Sequence, residues 1–290
     1  MSDTLDECKG VPPCDKCKAP KTTELEGKIF ISYVYFPSPS NDYNLSYFIE
    51  NEIKYRENVF YSIVINGHNC TYTIPKFSNV NVIYRDNTGF DFGGYEASIN
   101  YAFEKWGDGV YEEFDYFFFM NSGVIGPILR DKTEDWYSKF TRKFTNFVKL
   151  VGTTIVCLPN WDAGGFGPKV EGFCFCLDKK GLKLVLKDGT IFYNHETKRD
   201  AVINGEYGLS RCIINNGFTI DCMLEKYKNI NWYDGRNHFM NDNNHPSRKN
   251  SYFGGSIDPY EVIFHKWFWP GHPYVSLDII ENNTMKKWEG

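Results

Sequence analysis

Apolar residues occur along most of the chain in short runs rich in β-branched and aromatic side chains. Such runs, bounded by Gly, Pro, Asn or Asp, are typical of β-strands. They predict strands at residues 28–36, 59–65, 80–85, 115–120, 149–158, 172–177 and 218–223. The run at 115–120 is almost wholly aromatic, which favours a strand buried on both faces of a parallel sheet.

Other segments carry apolar residues at helical spacing. They predict helices at residues 41–53, 94–106, 136–147, 179–186 and 202–215, whereas residues 228–256 are rich in Asn, Gly and His and are predicted to form a loop. The resulting β-α-β-β-α-β order predicts an α/β fold with a mixed, mainly parallel sheet flanked by helices. Residues 27–290 are predicted to form one domain, preceded by a polar arm at residues 1–26.

Composition narrows the functional classes. The chain has 290 residues, of which 42% are hydrophobic and 24% charged, as in ordinary globular proteins. Aromatic residues reach 18%, which predicts a large aromatic core and also suits stacking platforms for bases or sugar rings. The formal net charge is −5 and no long basic run is present, so an extended nucleic-acid interface is not expected.

Membrane and redox signals are weak. No apolar run reaches the roughly 18 residues that a membrane span needs, and the polar N-terminus lacks the features of a signal peptide. We therefore expect a cytoplasmic protein. Of the nine cysteines, Cys157, Cys174 and Cys176 lie in predicted strands and are interpreted as small buried hydrophobes in a reducing setting. The pair Cys14 and Cys17 has the spacing of half a zinc site, but no second pair follows, and a loosely packed arm is preferred.

The loop at residues 85–95 leaves the third predicted strand and enters a helix. Ligands of open α/β sheets bind outside the carboxyl ends of the strands. Glycines such as Gly93 allow close backbone approach, and the start of a helix suits a diphosphate. Arg85 can contact phosphate or pair with Asp91, with Asn87 between them. The alternative is a tight turn in which Asp91 caps the helix.

Two further loops carry polar groups. Asn121, Ser122 and Gly123 follow the fourth predicted strand, where a pair of carboxylates would hold Mg²⁺ or Mn²⁺ against the phosphates of a donor. No such pair is present, so a metal requirement stays open; Asn121 and Ser122 can hold a sugar hydroxyl or a hydrated metal, or simply form a polar turn. Glu206 opens the predicted helix 202–215. It can deprotonate an acceptor hydroxyl or only complement the helix dipole.

Four motifs in order resemble the GT-A-type sugar transferases related to the rhamnan-synthesis F proteins. That group shows R-x-N-x-G-x-D-x-G-G-Y after its third strand, an N-S/D-S-x-x-G-P turn after its fourth, an E-x-x-L-S helix followed by G-[FY]-x-I, and a P-x-E-x-[IV]-F-x-K ending. The corresponding residues here are 85–95, 121–127, 206–210 with 217–220, and 258–266. The resemblance spans roughly residues 28–267.

The resemblance implies a GT-A-like (Rossmann-like) fold and a nucleotide-sugar donor. It implies a donor site made by Arg85, Asn87, Asp91, Gly93 and the turn from Asn121 through Ser122 to Gly123. Lys266 resembles the residue that reaches the donor diphosphate, with His265 beside it; the alternative is a solvated surface lysine.

The resemblance also bears on the acceptor side. Glu206 is the preferred general base if the enzyme inverts, and Asp162 is the reserve. Trp161 is expected to stack on an acceptor sugar. Members of the group often have a His-x-Gln where this chain has Lys169 and Glu171, so acceptor specificity is not implied.

The chain is also similar to glycosyltransferases that large DNA viruses, chloroviruses among them, use to build capsid glycans; a viral origin would make the host cytoplasm its location. We therefore expect transfer of a sugar to a glycan hydroxyl, with UDP-xylose as the first donor and a rhamnose donor next. A nucleotidyltransferase would need carboxylates holding magnesium after a strand. A carbohydrate-binding protein would need neither the glycine loop nor Lys266. The oligomeric state is not predicted.

Overall fold

The computed structural model describes residues 27–158, 167–233 and 240–268, except for the side chains of residues 242 and 243. Nine strands form a seven-stranded sheet of order β3-β2-β1-β4-β8-β5-β9 and a two-stranded sheet of β6 and β7. They are β1 Ile29–Tyr35, β2 Val59–Asn66, β3 Val80–Arg85, β4 Tyr116–Asn121, β5 Val148–Gly152, β6 Ile155–Leu158, β7 Gly167–Val170, β8 Cys174–Asp178 and β9 Thr219–Cys222. Among these strands β8 alone runs antiparallel to its neighbours in the large sheet. The predicted α/β fold with a mixed, mainly parallel sheet is confirmed.

Helices connect the strands and cover the sheet. They are α1 Pro39–Asn51, α2 Phe90–Trp106, α3 Val110–Glu113, α4 Trp136–Thr141, α5 Lys179–Asp188, α6 Lys198–Asp200, α7 Gly208–Asn215 and α8 Pro259–Val262. Short 3₁₀ turns occur at Gly107–Gly109, Glu225–Tyr227 and Met240–Asn243, and a π-helical turn at Ala201–Tyr207 joins α6 to α7. Helix α1 begins where Ser38 accepts a hydrogen bond from the Asn41 amide at 3.3 Å and Pro39 occupies a first-turn position.

Strand β4 carries the aromatic core on both of its faces. Phe118 packs against Trp136 and Phe140 of α4, with ring centroids 4.9 and 5.4 Å apart. Phe119, on the other face, packs against Tyr95 of α2 at 5.4 Å and Phe175 of β8 at 5.2 Å. Because neighbouring side chains of a strand point to opposite faces, a continuous aromatic run fills both layers. The predicted aromatic core and buried fourth strand are confirmed.

The interpretation of Cys157, Cys174 and Cys176 as small buried residues is also confirmed. All three are buried free thiols, and burial raises the pKa of each. The arm at residues 1–26, with Cys14 and Cys17, lies outside the described residues.

Several predicted elements are wrong in extent. The run 149–158 forms two strands in different sheets, because the chain turns at Thr153 and Thr154 and β6 then pairs with β7, a strand that the pattern did not predict. The helix predicted at 136–147 ends at Thr141.

Helix α2 begins at Phe90, four residues before the predicted start. Gly89 is its N-cap with φ 68°, a left-handed conformation that glycine adopts without strain. Asp91 therefore lies in the first turn and is not the cap. Gly94 lies inside the helix because α2 packs closely on β1; a Cβ there would lie 2.7 Å from the methyl carbons of Val34. Gly94 thus serves close packing of α2 on β1, whereas Gly93 faces the turn before the helix, where a Cβ would lie 2.8 Å from the Thr88 carbonyl oxygen.

Candidate functional site

Asp91 and Asn121 meet at the carboxyl edge of the parallel strands. Asp91 lies in the first turn of α2 and Asn121 ends β4. The Asn121 Nδ2 donates to Asp91 Oδ2 at 2.7 Å, and Asn121 Oδ1 accepts from the Gly123 amide at 2.8 Å. The amide of Asn121 is thus fixed between the helix and the turn. Burial raises the pKa of Asp91, although Asn121 and Lys266 counteract part of that effect.

Lys266 brings a positive charge to the same turn. A Cβ placed on Gly123 would lie 3.2 Å from Lys266 Nζ, so glycine leaves room for the ammonium. The Nζ also lies 5.4 Å from the ring centroid of Phe173. Burial lowers the pKa of Lys266, whereas the carboxylates of Glu171, Asp91 and Glu206 favour its charged form. Lys266 is therefore a partly buried cation among carboxylates, which is a different environment from that of a solvated surface lysine.

The segment that presents Lys266 is strained. Ile263, the residue after α8, has φ 67° and ψ −46°, and the Phe264 amide donates to the Val262 carbonyl across it at 2.7 Å. This three-residue turn is rare, and a positive φ is costly for a β-branched residue. Such strain persists where the surrounding structure imposes it and is frequent at functional sites.

His265 anchors the same segment to the turn after β4. Its backbone exchanges two hydrogen bonds with Ile125, at 2.8 and 3.0 Å. The imidazole is 1% exposed and lines a small pocket with Thr154 and Ser247. Burial lowers the pKa of His265 to about 4, so the ring is neutral at pH 7. This places His265 behind the site as a buried neighbour of Lys266.

Glu206 lies in the π-helical turn Ala201–Tyr207, and not at the start of a helix as predicted. A π turn widens the helix by one residue and is often found at functional sites. Glu206 Oε2 accepts a hydrogen bond from Lys169 Nζ, and its side chain is 24% exposed. Glu206 is therefore held by an ion pair, with its remaining surface open to the site.

Glycines bring Glu206 close to Asp91. A Cβ on Gly205 would lie 2.9 Å from the ring of Phe92, the residue after Asp91. A Cβ on Gly172 would lie 3.0 Å from both Glu206 Cγ and the Phe92 ring. The first turn of α2, the β7–β8 connection and the π turn can pack together only because these positions lack side chains.

Lys169 and Glu171 form an ionic pair that the sequence did not place in the site. Both residues are 4% exposed, and Lys169 Nζ lies 3.8 Å from Glu171 Oε1. His245 Nδ1 lies 3.3 Å from the same oxygen. Burial alone would raise the pKa of Glu171, but Lys169, His245 and Lys266 outweigh it and lower that pKa to about 2. Two signals were available in the sequence: the Lys-x-Glu spacing, which places both side chains on the same face of a strand, and the His-x-Gln that members of the resembling group often carry at these positions.

Arg85 supports the glycine turn from its outer side. Its guanidinium donates to Asn66 Oδ1 at 2.9 Å and to Thr88 Oγ1 and Asn194 Oδ1 at 3.2 Å each. A Cβ on Gly93 would lie 3.2 Å from the Arg85 Nη2 atom. Arg85 thus ties the ends of β2 and β3 to the loop before α6, while Asp91 bonds to Asn121.

Two other predicted donor residues, Asn87 and Ser122, differ in burial. Asn87 is exposed on the turn after β3. Ser122 is buried; its hydroxyl accepts from the Phe36 amide at 3.4 Å and its carbonyl accepts from Asn44 Nδ2 at 2.8 Å. Ser122 therefore fastens the turn to β1 and α1.

Trp161 and Asp162 lie outside the described residues. Within residues 27–158, 167–233 and 240–268, no group of three or more His, Cys, Asp or Glu side chains is arranged to hold a metal ion. The carboxylates of the site are engaged instead by an amide and by ammonium groups, as Asp91 is by Asn121 and Glu206 by Lys169. No helix in the described ranges is both long enough and apolar enough to cross a membrane.

Comparisons with known proteins do not show which family this chain belongs to. No protein-family model and no curated protein matches this chain. Among solved structures, a mannosyltransferase from Pyrobaculum calidifontis, PcManGT, in complex with GDP-Man and Mn²⁺, is similar at 11% sequence identity and a TM-score of 0.42. The match covers 72% of this chain and 57% of that chain. A likeness of this extent does not identify a function.

Proposed function

We propose that the protein is a GT-A-type glycosyltransferase that transfers a sugar from a nucleotide-sugar donor to a hydroxyl of a glycan. The observation that carries the proposal is the convergence of Asp91, Asn121, Gly123 and Lys266 at the carboxyl edge of the sheet. This is the edge at which α/β sheets bind ligands. The four ordered motifs that resemble the rhamnan-synthesis F-like group supply residues to this one place, which supports the same conclusion.

Each donor residue has a chemical task in this proposal. The ammonium of Lys266 neutralises the diphosphate, and the backbone at Gly123 approaches it without steric hindrance. Asp91 would repel a diphosphate, so its carboxylate accepts a hydrogen bond from a hydroxyl of the donor, in the sugar or the ribose. Asn121 orients that carboxylate, and Arg85 supports the turn that carries it.

For inversion, the acceptor oxygen attacks the anomeric carbon as the bond from that carbon to the diphosphate breaks. The electron pair leaves with the nucleoside diphosphate next to Lys266, and the acceptor proton passes to a carboxylate. We assign that general base to Glu206, because an ion pair with Lys169 holds it beside the donor site and its side chain is 24% exposed. Asp162 is the reserve base, and Trp161 is the proposed acceptor platform.

UDP-xylose is the first proposed donor and a rhamnose donor the second. A panel of nucleotide sugars, with NMR of the released or transferred sugar, identifies the donor and shows whether the anomeric configuration inverts. Because Lys266 supplies positive charge at the diphosphate, we expect activity in EDTA. Complete loss in EDTA that Mn²⁺ or Mg²⁺ restores would instead require a metal ligand, with Asp91 and His265 the first to examine.

Binding of UDP by calorimetry tests the donor site directly. Lys266→Ala removes a charge-assisted contact and should weaken binding by about 1.5–3 kcal/mol. Lys187→Ala, at an exposed position near the end of α5, is the matched control and should bind like the wild type. Equal affinity in the two variants would remove Lys266 from the donor site.

Two other results would replace the proposal itself. Binding of glycans without any nucleotide binding would indicate a carbohydrate-binding protein. Release of pyrophosphate from a nucleoside triphosphate and a sugar phosphate would indicate a nucleotidyltransferase.

A further inference from the structure

Lys169 is shared between two carboxylates that differ in their exposure. Its Nζ donates to Glu206 Oε2 and lies 3.8 Å from Glu171 Oε1. The side chains of Lys169 and Glu171 are each 5% exposed, whereas that of Glu206 is 24% exposed. An accessible carboxylate therefore touches a buried cation that already has a buried counter-ion.

This arrangement makes Glu206 the carboxylate that can change its charge. With both carboxylates ionised, the group of Lys169, Glu171 and Glu206 carries one excess negative charge. A proton on Glu206 leaves the buried Lys169–Glu171 pair neutral. A proton on Glu171 would instead remove the charge that lies closest to His245, and that carboxyl has its pKa lowered to about 2.

We propose that Lys169 and Glu171 are positioning residues for Glu206. Lys169 orients the Glu206 carboxylate towards the acceptor hydroxyl, and Glu171 offsets the charge of Lys169, so that the excess negative charge of the group lies on the accessible carboxylate. The inference rests on the proposed function, in which Glu206 takes the acceptor proton. It assigns a role to two residues that neither touch the reacting atoms nor belong to the donor site.

Other charges face this group from every side. Asp91 on α2 and Lys266 in the segment after α8 interact electrostatically with Glu206, and Lys198 interacts with both of them. Tyr207 lies beside Lys169, whose Nζ is 5.0 Å from its ring centroid. None of these residues changes in the variants below, so their contributions cancel in the comparison.

Opposite shifts of the rate–pH profile test the inference. In Lys169→Met the cation is lost and two carboxylates repel each other, so the acidic limb of the kcat–pH profile should move to higher pH. In Glu171→Gln the whole charge of Lys169 acts on Glu206, so the acidic limb should move to lower pH and the maximal kcat should fall. The double variant should be faster than the product of the single effects by about tenfold, within the range measured for residues in contact. Lys169→Arg keeps the charge and should retain most of the rate.

UDP affinity and melting temperature are measured on each variant. If either single variant fails to fold, Lys169→Gln or Glu171→Met provides the same comparison, because each removes the same charge. The positioning role would be overturned if the acidic limbs of the two single variants did not move in opposite directions. It would also be overturned if the two single effects simply multiplied in the double variant. A Glu206→Gln variant with normal turnover and normal UDP binding would instead overturn the choice of base and this inference together, while the donor site would stand.

Discussion

Two buried ionic clusters occupy opposite ends of the sheet and differ in how they are completed. The first surrounds Glu52, the C-cap of α1, near the amino end of β2. Glu52 is 2% exposed. It pairs with Arg56 at 2.5 Å and accepts from Tyr61 at 2.8 Å, from Trp136 at 2.9 Å and from Tyr137. Both of its oxygens are engaged, and Arg56 is its counter-ion.

The second cluster lies at the carboxyl ends of the strands. It holds three carboxylates, Asp91, Glu171 and Glu206, and two ammonium groups, Lys169 and Lys266. The pKa values of Asp91, Lys266, Glu171 and Lys169 shift in opposing directions. Burial raises that of Asp91 and lowers that of Lys266, while ion pairing outweighs burial and lowers that of Glu171 and raises that of Lys169.

The contrast distinguishes a structural charge from a candidate functional one. Burial alone does not distinguish the clusters, since both contain nearly inaccessible carboxylates. The clusters differ in completeness, that is, in whether every carboxylate has a cation to pair with. Glu52 is fully paired, whereas the second cluster has one carboxylate more than it has ammonium groups, and that carboxylate is accessible. Groups with shifted pKa values in a partly open cluster are the usual signature of a site.

Glu206→Gln should give the largest effect. Gln has nearly the same shape but cannot take a proton, and general-base catalysis typically contributes about 10²–10⁴-fold. We expect kcat to fall by about that factor while UDP affinity is unchanged. Glu104→Gln, at an exposed position of α2, should match the wild type in both measurements. Near-normal turnover of Glu206→Gln would move the base to Asp162, which Asp162→Asn then checks.

Glu52→Ala should lower stability rather than activity, because it changes the first cluster. Removing one partner of a buried ion pair costs about 3–5 kcal/mol, because the remaining charge stays buried without compensation. The free energy of unfolding, from urea titration, should fall by that amount, whereas the activity of the folded fraction should not change. Glu50→Ala, an exposed neighbour in α1, should leave stability nearly unchanged. If Glu52→Ala lowered kcat without lowering stability, completeness would not distinguish the clusters.

Much of the fold was predictable, since continuous apolar runs locate β1 to β4 within one or two residues. Periodicity did not show that the chain changes sheets at Thr153 and Thr154, because both halves of that run are equally apolar. It also placed the start of α2 too late. Glycine has low helix propensity, and only the tertiary contact with Val34 explains why Gly94 lies inside the helix.

The site was predictable where ordered motifs carry it and not where ion pairs build it. Asp91, Asn121, Gly123 and Lys266 were proposed from the resemblance and lie together in the structure. The contact of Lys169 with Glu206 joins β7 to a π turn about forty residues later in the chain. No local spacing encodes such a contact, so only the fold suggested the proposed role of Lys169.

Asp91→Asn gives the smallest change. It still distinguishes the two clusters, because it should raise stability, whereas Glu52→Ala should lower it. Because burial raises the pKa of Asp91, its ionised form costs stability at neutral pH, and Asn should raise the melting temperature at pH 7. The gain should shrink as the pH falls through the raised pKa of folded Asp91 and be absent below the unfolded-state value of about 3.9, where Asp91 is protonated in both the folded and the unfolded states. Donor binding should weaken by about 1.5–3 kcal/mol, as expected when a hydrogen bond to a charged group is lost. Thermal melts between pH 4 and pH 8 and calorimetry with UDP-xylose, or with the nucleotide sugar that the panel identifies, measure both effects.

Asp108→Asn, exposed beyond the opposite end of α2, serves as the control. A lower melting temperature for Asp91→Asn at pH 7 would place Asp91 with Glu52 as a structural charge, because a group poised for a ligand should cost stability in the absence of that ligand.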